Sequence, residues 1–263
     1  MKIALLDSGI GLLPAAAAVR RARPDADLVL SCDPDGMPWG PRTPDDITAH
    51  ALDCARAAAA QRPDALIVAC NTASVHALDV LRAELEPGLP VVGTVPAVKP
   101  AAATGGSVAI WATPATTGSP YQRRLIEDFG LGADITEVPC HGLADAVERA
   151  DEDAVDAAIA AAAALTPPGV RAVVLGCTHY ELVAERIRAA TAHPLQGPAR
   201  MFASAPAVAA QALRRAGSPG PGPGDRPPGG LTVLLSGRPG PLLAPAAAYA
   251  EGRLLAAVSP ARN

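Results

Sequence analysis

The sequence predicts an α/β fold made of two pseudo-symmetric, doubly wound domains, whose parallel-sheet cores face one another across a central cleft. Short apolar strands alternate with helical stretches along the chain, which is the pattern of this fold class. The same order of strand, polar residues, strand and cysteine occurs in each half of the chain. The 263 residues are enough for two small domains or one large one.

The candidate strands are short apolar runs bounded by turn residues, as expected for parallel strands buried on both faces. They cover residues 2–6, 27–31, 65–69, 90–93, 107–112, 134–138, 171–175 and 231–235. Between them lie Ala-, Leu- and Arg-rich stretches, such as 45–60 and 73–85, that are typical of helices. The first of these helices has a favourable start, with Thr43 as N-cap, Pro44 at the first position and Asp46 in the first turn.

One segment differs from the rest of the chain. Residues 217–230 contain eleven Gly or Pro residues out of fourteen, so they cannot bury apolar surface and are predicted to form a mobile surface loop. From the internal repeat, we expect residues 1–97 together with 208–263 to form one domain and residues 98–207 to form the other.

Composition excludes several classes of function. The net charge of −4 lacks the basic excess of a nucleic-acid surface, so no nucleic-acid partner is expected. The apolar run at the N-terminus, 3–6, is too short for a signal peptide, and no run is long enough for a membrane span. Five cysteines, an odd number, in a chain without a signal predict reduced thiols and a cytoplasmic location.

A weak internal repeat marks the candidate site. Residues 65–72 and 172–178 are both apolar strands that end in a cysteine followed by hydroxyl or amide residues. Each follows an earlier strand that ends in a polar cluster, Asp7-Ser8-Gly9 in the first half and residues 113–117 in the second. All four clusters are expected at the carboxyl ends of parallel strands and ahead of helices, where backbone N–H groups attract anions. The pattern therefore favours a substrate that carries two carboxylates.

Two facing cysteines could invert the α-carbon of an amino acid. Inversion needs a base on one face of the carbon and an acid on the other, and a thiolate and a thiol can exchange these roles. Cys70 and Cys177 both precede helices, a position that lowers the pKa of a thiol from about 8.5. Cys32, Cys54 and Cys140 lack this paired context and are predicted to be structural.

Two other kinds of site fit the sequence less well. A zinc site would have to use Cys177 with His179, or Cys140 beside His141, because no other Cys or His pair has a tight spacing. Lys99 would be the only plausible lysine for a Schiff base, but its Pro-flanked connector favours a structural role. The residues therefore favour neither a zinc site nor a Schiff-base lysine.

Six motifs then follow one another along nearly the whole chain. They are Asp7-Ser8-Gly9-Ile10-Gly11, Gly40-Pro41-Arg42-Thr43-Pro44, Val68-Ala69-Cys70-Asn71-Thr72-Ala73-Ser74, Pro96-Ala97-Val98-Lys99-Pro100, Ala112-Thr113-Pro114-Ala115-Thr116 and Gly176-Cys177-Thr178-His179-Tyr180. In these motifs and their order, the chain resembles the glutamate racemases of the aspartate/glutamate racemase superfamily. The Cys-Asn-Thr-Ala and Gly-Cys-Thr-His blocks are the most specific part of this resemblance.

The resemblance implies a two-domain enzyme that interconverts L- and D-glutamate for peptidoglycan synthesis, without pyridoxal phosphate or metal. It implies that Cys70 and Cys177 transfer the proton and that Asp7 and His179, beside them, assist and contact the substrate. The remaining substrate-binding positions that it implies are Ser8, Asn71, Thr72, Thr178, Thr113, Thr116, Thr117 and, near the ammonium group, Glu148. It also suggests that the protein forms a homodimer. The amino-acid substrate is the other expected partner.

Two positions depart from the family pattern. Leu12 stands where the family usually repeats Gly, and Trp39 stands before Gly40 where the family usually has Tyr. An indole is larger than a phenol and offers one N–H donor and no acceptor, so Trp39 and Gly40 are candidate substrate-binding residues in a changed pocket wall. The departures put the identity of the acid in question more than the reaction.

Three functional interpretations follow. Glutamate racemisation is the first, and racemisation of aspartate or a specialised acid is the second. The third is a non-catalytic regulatory protein of the kind that inhibits DNA gyrase within this family. The presence of both thiols and their polar neighbours favours an enzyme, and it also argues against a decarboxylase, which needs only one of the two cysteines.

Overall fold

Ten strands form two sheets within residues 1–195, 197–217 and 227–257, the parts of the chain that this computed structural model describes. In chain order the strands are β1 (Lys2–Asp7), β2 (Asp27–Cys32), β3 (Ala65–Val68), β4 (Val91–Gly93), β5 (Val108–Ala112), β6 (Ile135–Pro139), β7 (Ala172–Leu175), β8 (Arg200–Phe202), β9 (Leu231–Leu235) and β10 (Arg238–Pro239). One sheet has the order β10-β9-β2-β1-β3-β4, and the other has the order β6-β5-β7-β8. Neighbouring strands are parallel except β10, which is antiparallel to β9.

The α/β fold with two parallel-sheet cores is confirmed, and all eight predicted strands are present. Strands β2-β1-β3-β4 and β6-β5-β7-β8 have the same spatial order, so the internal repeat of the sequence corresponds to a repeat of topology. Strands β8 and β10 were not predicted. With three and two residues they are too short to show a hydrophobic period, and β10 is wholly exposed.

The helices lie between the strands. They are α1 (Leu13–Ala22), α2 (Pro44–Ala59), α3 (Asn71–His76), α4 (Leu78–Leu85), α5 (Val98–Ala102), α6 (Pro120–Phe129), α7 (Leu143–Arg149), α8 (Glu152–Leu165), α9 (Ala184–Ala190), α10 (Ala205–Arg215) and α11 (Ala250–Ala256), with 3₁₀ turns at Ile10–Leu12, Thr178–Val183 and Ala244–Ala248. Within the described residues, none of these helices has both the length and the apolar character to span a membrane.

The predicted helix starts can be compared with the structure. At the start of α2, the hydroxyl of Thr43 accepts a hydrogen bond from the backbone N–H of Asp46 at 3.3 Å, so the predicted N-cap is confirmed. The stretch 73–85, predicted to be helical, is helical except at Ala77. The backbone at Ala77 departs from helical geometry (φ −114°, ψ −14°), which divides the stretch into α3 and α4.

The chain divides into two compact units, residues 1–95 with 205–263 and residues 96–204. The predicted domain boundaries lie two or three residues from these. Of the predicted mobile loop 217–230, residues 218–226 lie outside the described residues.

The strands that lead to the polar clusters are buried and have a neighbouring strand on both sides. Strands β3, β5 and β7 are buried at every residue, and β1 is buried at every residue except Lys2. Strand β1 lies beside β3, and β5 lies beside β7. The residues that follow each pair of strands are therefore brought to the same edge of their sheet, where ligands bind in open parallel sheets.

A buried arginine links α1 to the start of β2 and to the segment before β9. Arg20 is 4% exposed, and its guanidinium donates hydrogen bonds to the backbone carbonyls of Pro24 and Ala26, each at 2.8 Å, and of Gly230 at 3.1 Å. Burial lowers the pKa of this guanidinium, and the nearby carboxylates of Asp27 and Asp25 partly offset that effect.

We expect Arg20→Met to lower the free energy of unfolding by about 2 to 4 kcal/mol, because three carbonyls would lose a charged donor. Urea denaturation measures this change. Arg21→Met is the matched control, since Arg21 has a side chain 58% exposed and should change stability by less than about 0.5 kcal/mol. Equal urea midpoints for Arg20→Met and the parent protein would show that the three hydrogen bonds contribute nothing net.

Candidate active site

The first unit brings Asp7, Ser8 and Cys70 to one edge of its sheet. Asp7 is the last residue of β1 and is fully buried, and its Oδ1 accepts hydrogen bonds from the Ser8 hydroxyl at 3.1 Å and from the Gly9 N–H at 3.4 Å. Leu6 is in register with Val68, so Asp7 lies beside the end of β3, where the chain continues into Cys70. The structure thus places a buried carboxylate next to the strand that delivers the thiol.

Cys70 occupies the N-cap position of α3. Its backbone is extended (φ −138°, ψ 123°), it is 8% exposed, and its sulfur is not part of a disulfide. Asn71 and Thr72 follow it as the first residues of the helix, and Asn71 is buried. The first N–H groups of a helix have no partner within the helix and point toward its start, so this position offers donors to an anionic ligand.

The second unit repeats this arrangement at Cys177. Cys177 precedes the 3₁₀ turn Thr178–Val183 with nearly the same backbone conformation as Cys70 (φ −135°, ψ 136°). It is the most exposed of the five cysteines, whereas the other four are buried. Thr178 follows it and is 7% exposed. The two cysteines therefore occupy corresponding positions in two corresponding sheets.

A histidine and a glutamate extend from the second thiol. The Sγ atom of Cys177 lies 3.8 Å from Nδ1 of His179, and Nε2 of His179 lies 2.7 Å from Oε2 of Glu148 on α7. The side chains of His179 and Glu148 are 11% and 12% exposed. A carboxylate at Nε2 holds the ring proton there, so Nδ1 is left as the acceptor that faces the thiol. This geometry can move a proton between sulfur and imidazole.

The three threonines predicted for the second unit share one turn after β5. The Thr113 carbonyl accepts the N–H groups of Thr116 at 2.9 Å and Thr117 at 3.0 Å, and the hydroxyls of Thr113 and Thr116 are 3.1 Å apart. The turn leads into α6, whose N-cap is Ser119. Because β5 lies beside β7, this turn and the Cys177 turn are at the same edge of the sheet.

The indole of Trp39 is buried inside the first unit. The residue is 1% exposed, packs with the core that includes Ile47 and Ala51, and donates its indole N–H to Oδ2 of Asp33 at 3.0 Å. The indole thus contributes to packing and to hydrogen bonding within the first unit, and a substrate contact of Trp39 or Gly40 stays a prediction. An added Cβ at Gly40 would meet no atom within 4 Å, so the space beside this residue is open.

Asp33 is a residue that the sequence analysis missed. It follows β2 directly and therefore lies at the same carboxyl edge as Asp7, which is the signal that could have identified it.

Leu12, the other departure from the family pattern, is fully buried in the 3₁₀ turn after β1. Its additional side chain therefore packs inside the first unit.

The remaining cysteines differ from Cys177 in their surroundings. Burial raises the pKa of the Cys54 thiol to about 12, and burial likewise raises the pKa of Cys140 to about 12. Cys32 is 2% exposed. Within the described residues, no group of three or more His, Cys, Asp and Glu side chains could hold a metal ion.

We expect iodoacetamide at pH 8 to modify Cys177 first and to leave Cys54 and Cys140 unmodified in the folded protein. The thiolate is the reactive form, and a thiol with a pKa about four units above the solution pH is ionised in only about one molecule in ten thousand. Peptide mapping by mass spectrometry gives the rate at each cysteine, and all five should react in denaturant. Labelling of Cys54 or Cys140 as fast as Cys177 would contradict these environments.

Comparison with known proteins agrees with the geometry. The model of the Asp/Glu/Hydantoin racemase family matches residues 13–212. Over 192 residues, which cover 71% of this chain and 70% of the relative, the chain is 38% identical to the glutamate racemase of Roseiflexus sp. (strain RS-1). It is 36% identical over 219 residues to the glutamate racemase of Granulibacter bethesdensis (strain ATCC BAA-1260 / CGDNIH1), covering 81% of this chain and 77% of that one.

Solved structures give the same result. The crystal structure of Escherichia coli glutamate racemase in complex with L-glutamate and the activator UDP-MurNAc-Ala superposes with a TM-score of 0.76 at 25% identity, over 94% of this chain and 91% of that chain. The glutamate racemase from Thermus thermophilus in complex with beta-chloro-D-alanine superposes with a TM-score of 0.68 at 26% identity, over 100% and 96% of the two chains.

Proposed function

Because this chain belongs to the Asp/Glu/hydantoin racemase family, we propose that it is a glutamate racemase that uses Cys70 and Cys177 as the two proton-transferring residues. The observation that carries the proposal is the repeated thiol. Each cysteine follows a buried central strand, has the same extended backbone, and precedes a helical turn in a sheet of the same strand order.

The proposed reaction uses side chains of this chain alone. One cysteine, as thiolate, removes the α-proton of glutamate and becomes a thiol. The other cysteine, as thiol, donates its proton to the opposite face of the carbon and becomes a thiolate. The sum is inversion of the α-carbon with no net change in protons, and the roles are exchanged when the reaction runs from the other enantiomer.

The groups beside each thiol prepare it for its next role. On one side, His179 at 3.8 Å from the Cys177 sulfur is placed to accept or return the thiol proton, and Glu148 holds the ring in the required tautomer. On the other side, the buried Asp7 carboxylate at the end of β1 serves Cys70 in the same way.

The substrate carboxylates are bound, in this proposal, by hydroxyl, amide and backbone donors at the two sheet edges. In the first unit these donors are Ser8, Gly40, Asn71 and Thr72. In the second unit they are Thr113, Thr116, Thr117 and Thr178. The N–H groups at the start of α3 and of the turn that begins at Thr178 add fixed partial positive charge, which favours an acidic ligand.

Glutamate is the proposed substrate because the relatives at 36% and 38% identity are glutamate racemases. The two departures that favoured another acid, Leu12 and Trp39, are 0% and 1% exposed, so neither side chain supports a changed ligand pocket. The supply of D-glutamate to peptidoglycan and the homodimer remain predictions from the family resemblance, and the cytoplasmic location remains a prediction from the cysteine content.

Incubation of the purified protein with L-glutamate in deuterated water tests the proposal. We expect D-glutamate to appear with deuterium at the α-carbon, as detected by chiral chromatography with mass spectrometry. L-aspartate and other acidic amino acids in parallel samples test the substrate. Absence of both the D-isomer and the α-deuterium would refute racemisation of glutamate, and a faster rate on another acid would change the assigned substrate.

A further inference from the structure

Every polar atom of Asp33 in the first unit is engaged in a hydrogen bond. Its backbone N–H donates to the carbonyl of Ser8 at 3.0 Å, and its own carbonyl accepts the N–H groups of Gly36 at 3.1 Å and Met37 at 2.9 Å. Asp33 is 4% exposed. Its backbone therefore joins the Ser8 segment after β1 to the turn that begins the segment 33–42.

The carboxylate of Asp33 holds three further elements. Its Oδ1 accepts the hydroxyl of Ser236, in the turn after β9, at 2.8 Å. Its Oδ2 accepts the indole N–H of Trp39 at 3.0 Å and faces Nδ1 of His50, on α2, at 2.8 Å. One carboxylate thus contacts Trp39 in the segment 33–42, His50 on α2 and Ser236 in the turn after β9.

The neighbourhood of this carboxylate leaves no space for another side chain. An added Cβ at Gly36 would lie 2.1 Å from Oδ2 of Asp33 and 2.4 Å from Nδ1 of His50. The far end of the segment is closed by Arg42, whose Nε donates to the Gly36 carbonyl at 2.6 Å and whose backbone N–H donates to the Trp39 carbonyl at 3.1 Å. Hydrogen bonds from Asp33 at its start and from Arg42 at its end therefore hold the segment 33–42.

We propose that Asp33 is a positioning residue for substrate binding, which fixes the backbone of Trp39 and Gly40 relative to that of Ser8. This inference rests on the proposed function, in which Ser8 and Gly40 bind glutamate. Asp33 touches no reacting atom in this account and acts through the segments that it joins. Binding groups must be held in place before the substrate arrives, because a displacement of about 1 Å can cost as much as 100-fold in rate.

The kinetic test compares Asp33→Ala with Asp33→Asn. We expect Asp33→Ala to raise KM for glutamate roughly 10- to 100-fold with a smaller effect on kcat. The variant lacks the carboxylate that accepts hydrogen bonds from the side chains of Trp39, His50 and Ser236. Asp33→Asn should restore most of this loss. Its amide oxygen can still accept from Trp39 and His50, and its NH₂ group can donate to the Ser236 hydroxyl.

A second variant keeps the test decisive if Asp33→Ala fails to fold. Trp39→Phe retains a buried ring and removes only the indole N–H, and it should raise KM about 3- to 10-fold. Ser31→Ala is the matched control, because the Ser31 hydroxyl donates a buried hydrogen bond at 3.0 Å to the carbonyl of Cys54, which lies on α2 and outside the segment 33–42. It should lower thermal stability and leave KM unchanged.

Hydrogen exchange supplies a readout that does not depend on turnover. The backbone amides of peptide 33–42 should exchange faster in Trp39→Phe and Asp33→Ala than in the parent protein, and as slowly as the parent in Ser31→Ala. Unchanged KM and exchange in Trp39→Phe, or an equal rise of KM in Ser31→Ala, would overturn the inference. An inactive parent protein would refute the proposed function instead, and the exchange pattern would then test only whether Asp33 holds the segment 33–42 in place.

Discussion

Cys70→Ser and Cys177→Ser are each expected to lower the rate of glutamate racemisation by about 10²- to 10⁴-fold or more. A serine hydroxyl has nearly the size of a thiol but is a far weaker acid, and its conjugate base is not formed near neutral pH. Since each cysteine lies two residues after a buried strand and has an extended backbone, the substitution should leave the fold intact. Steady-state racemisation measured by circular dichroism gives the rate of each variant.

The two variants should differ in which enantiomer they still exchange. A variant that keeps one thiol can remove the α-proton from the enantiomer that presents it to that thiol and return deuterium to the same face. We therefore expect each variant to place deuterium in one enantiomer without inversion, and the two variants to act on opposite enantiomers. Separate incubations of L- and D-glutamate in deuterated water measure this exchange.

Cys54→Ala is the control for loss of a thiol as such. Cys54 lies on α2, is 2% exposed and has a pKa raised by burial to about 12, so it should have no part in proton transfer. Its variant should keep the parent's turnover. Full racemisation in either Cys70→Ser or Cys177→Ser, or exchange of the same enantiomer by both, would exclude a mechanism with one thiol on each face.

The site residues that follow the buried strands could be predicted from the sequence, because the geometry of a parallel sheet places them. Once β1, β3, β5 and β7 are recognised as buried parallel strands, the residues after them must lie at the carboxyl edge. Asp7, Cys70, Thr113 and Cys177 were identified in this way. The same rule would have identified Asp33, which follows β2, but a lone carboxylate in a turn also fits an ordinary turn residue.

Side-chain pairs between elements were less accessible to sequence reasoning. The contact between Glu148 and His179 joins a helix to a turn that is distant along the chain, and it depends on how α7 is rotated about its axis. The hydrogen bond from Trp39 to Asp33 depends likewise on a rotamer inside a folded loop. Local patterns of hydrophobicity specify where strands and helices lie, but not which of their side chains meet.

Glu148→Gln and His179→Asn carry the second large expected effect, a loss of about 10- to 100-fold in kcat, which in Glu148→Gln is accompanied by little change in KM. In the parent, Glu148 accepts the Nε2 proton of His179 at 2.7 Å, which leaves Nδ1 free to accept from the Cys177 thiol. A glutamine can instead donate its NH₂ group to Nε2. The ring proton then moves to Nδ1, where it faces the sulfur and blocks acceptance of the thiol proton.

Asp145→Asn is the matched control for loss of a negative charge on α7. Asp145 lies on the same helix, one turn before Glu148, and is exposed, so removal of its charge should leave kcat unchanged. The comparison also separates the two roles available to Glu148. If this carboxylate bound the substrate ammonium, as the family resemblance implies, Glu148→Gln would raise KM while kcat stayed near the parent's value. If it holds His179, kcat falls and KM is retained, because the substrate contacts are untouched and only the proton path to Cys177 is altered.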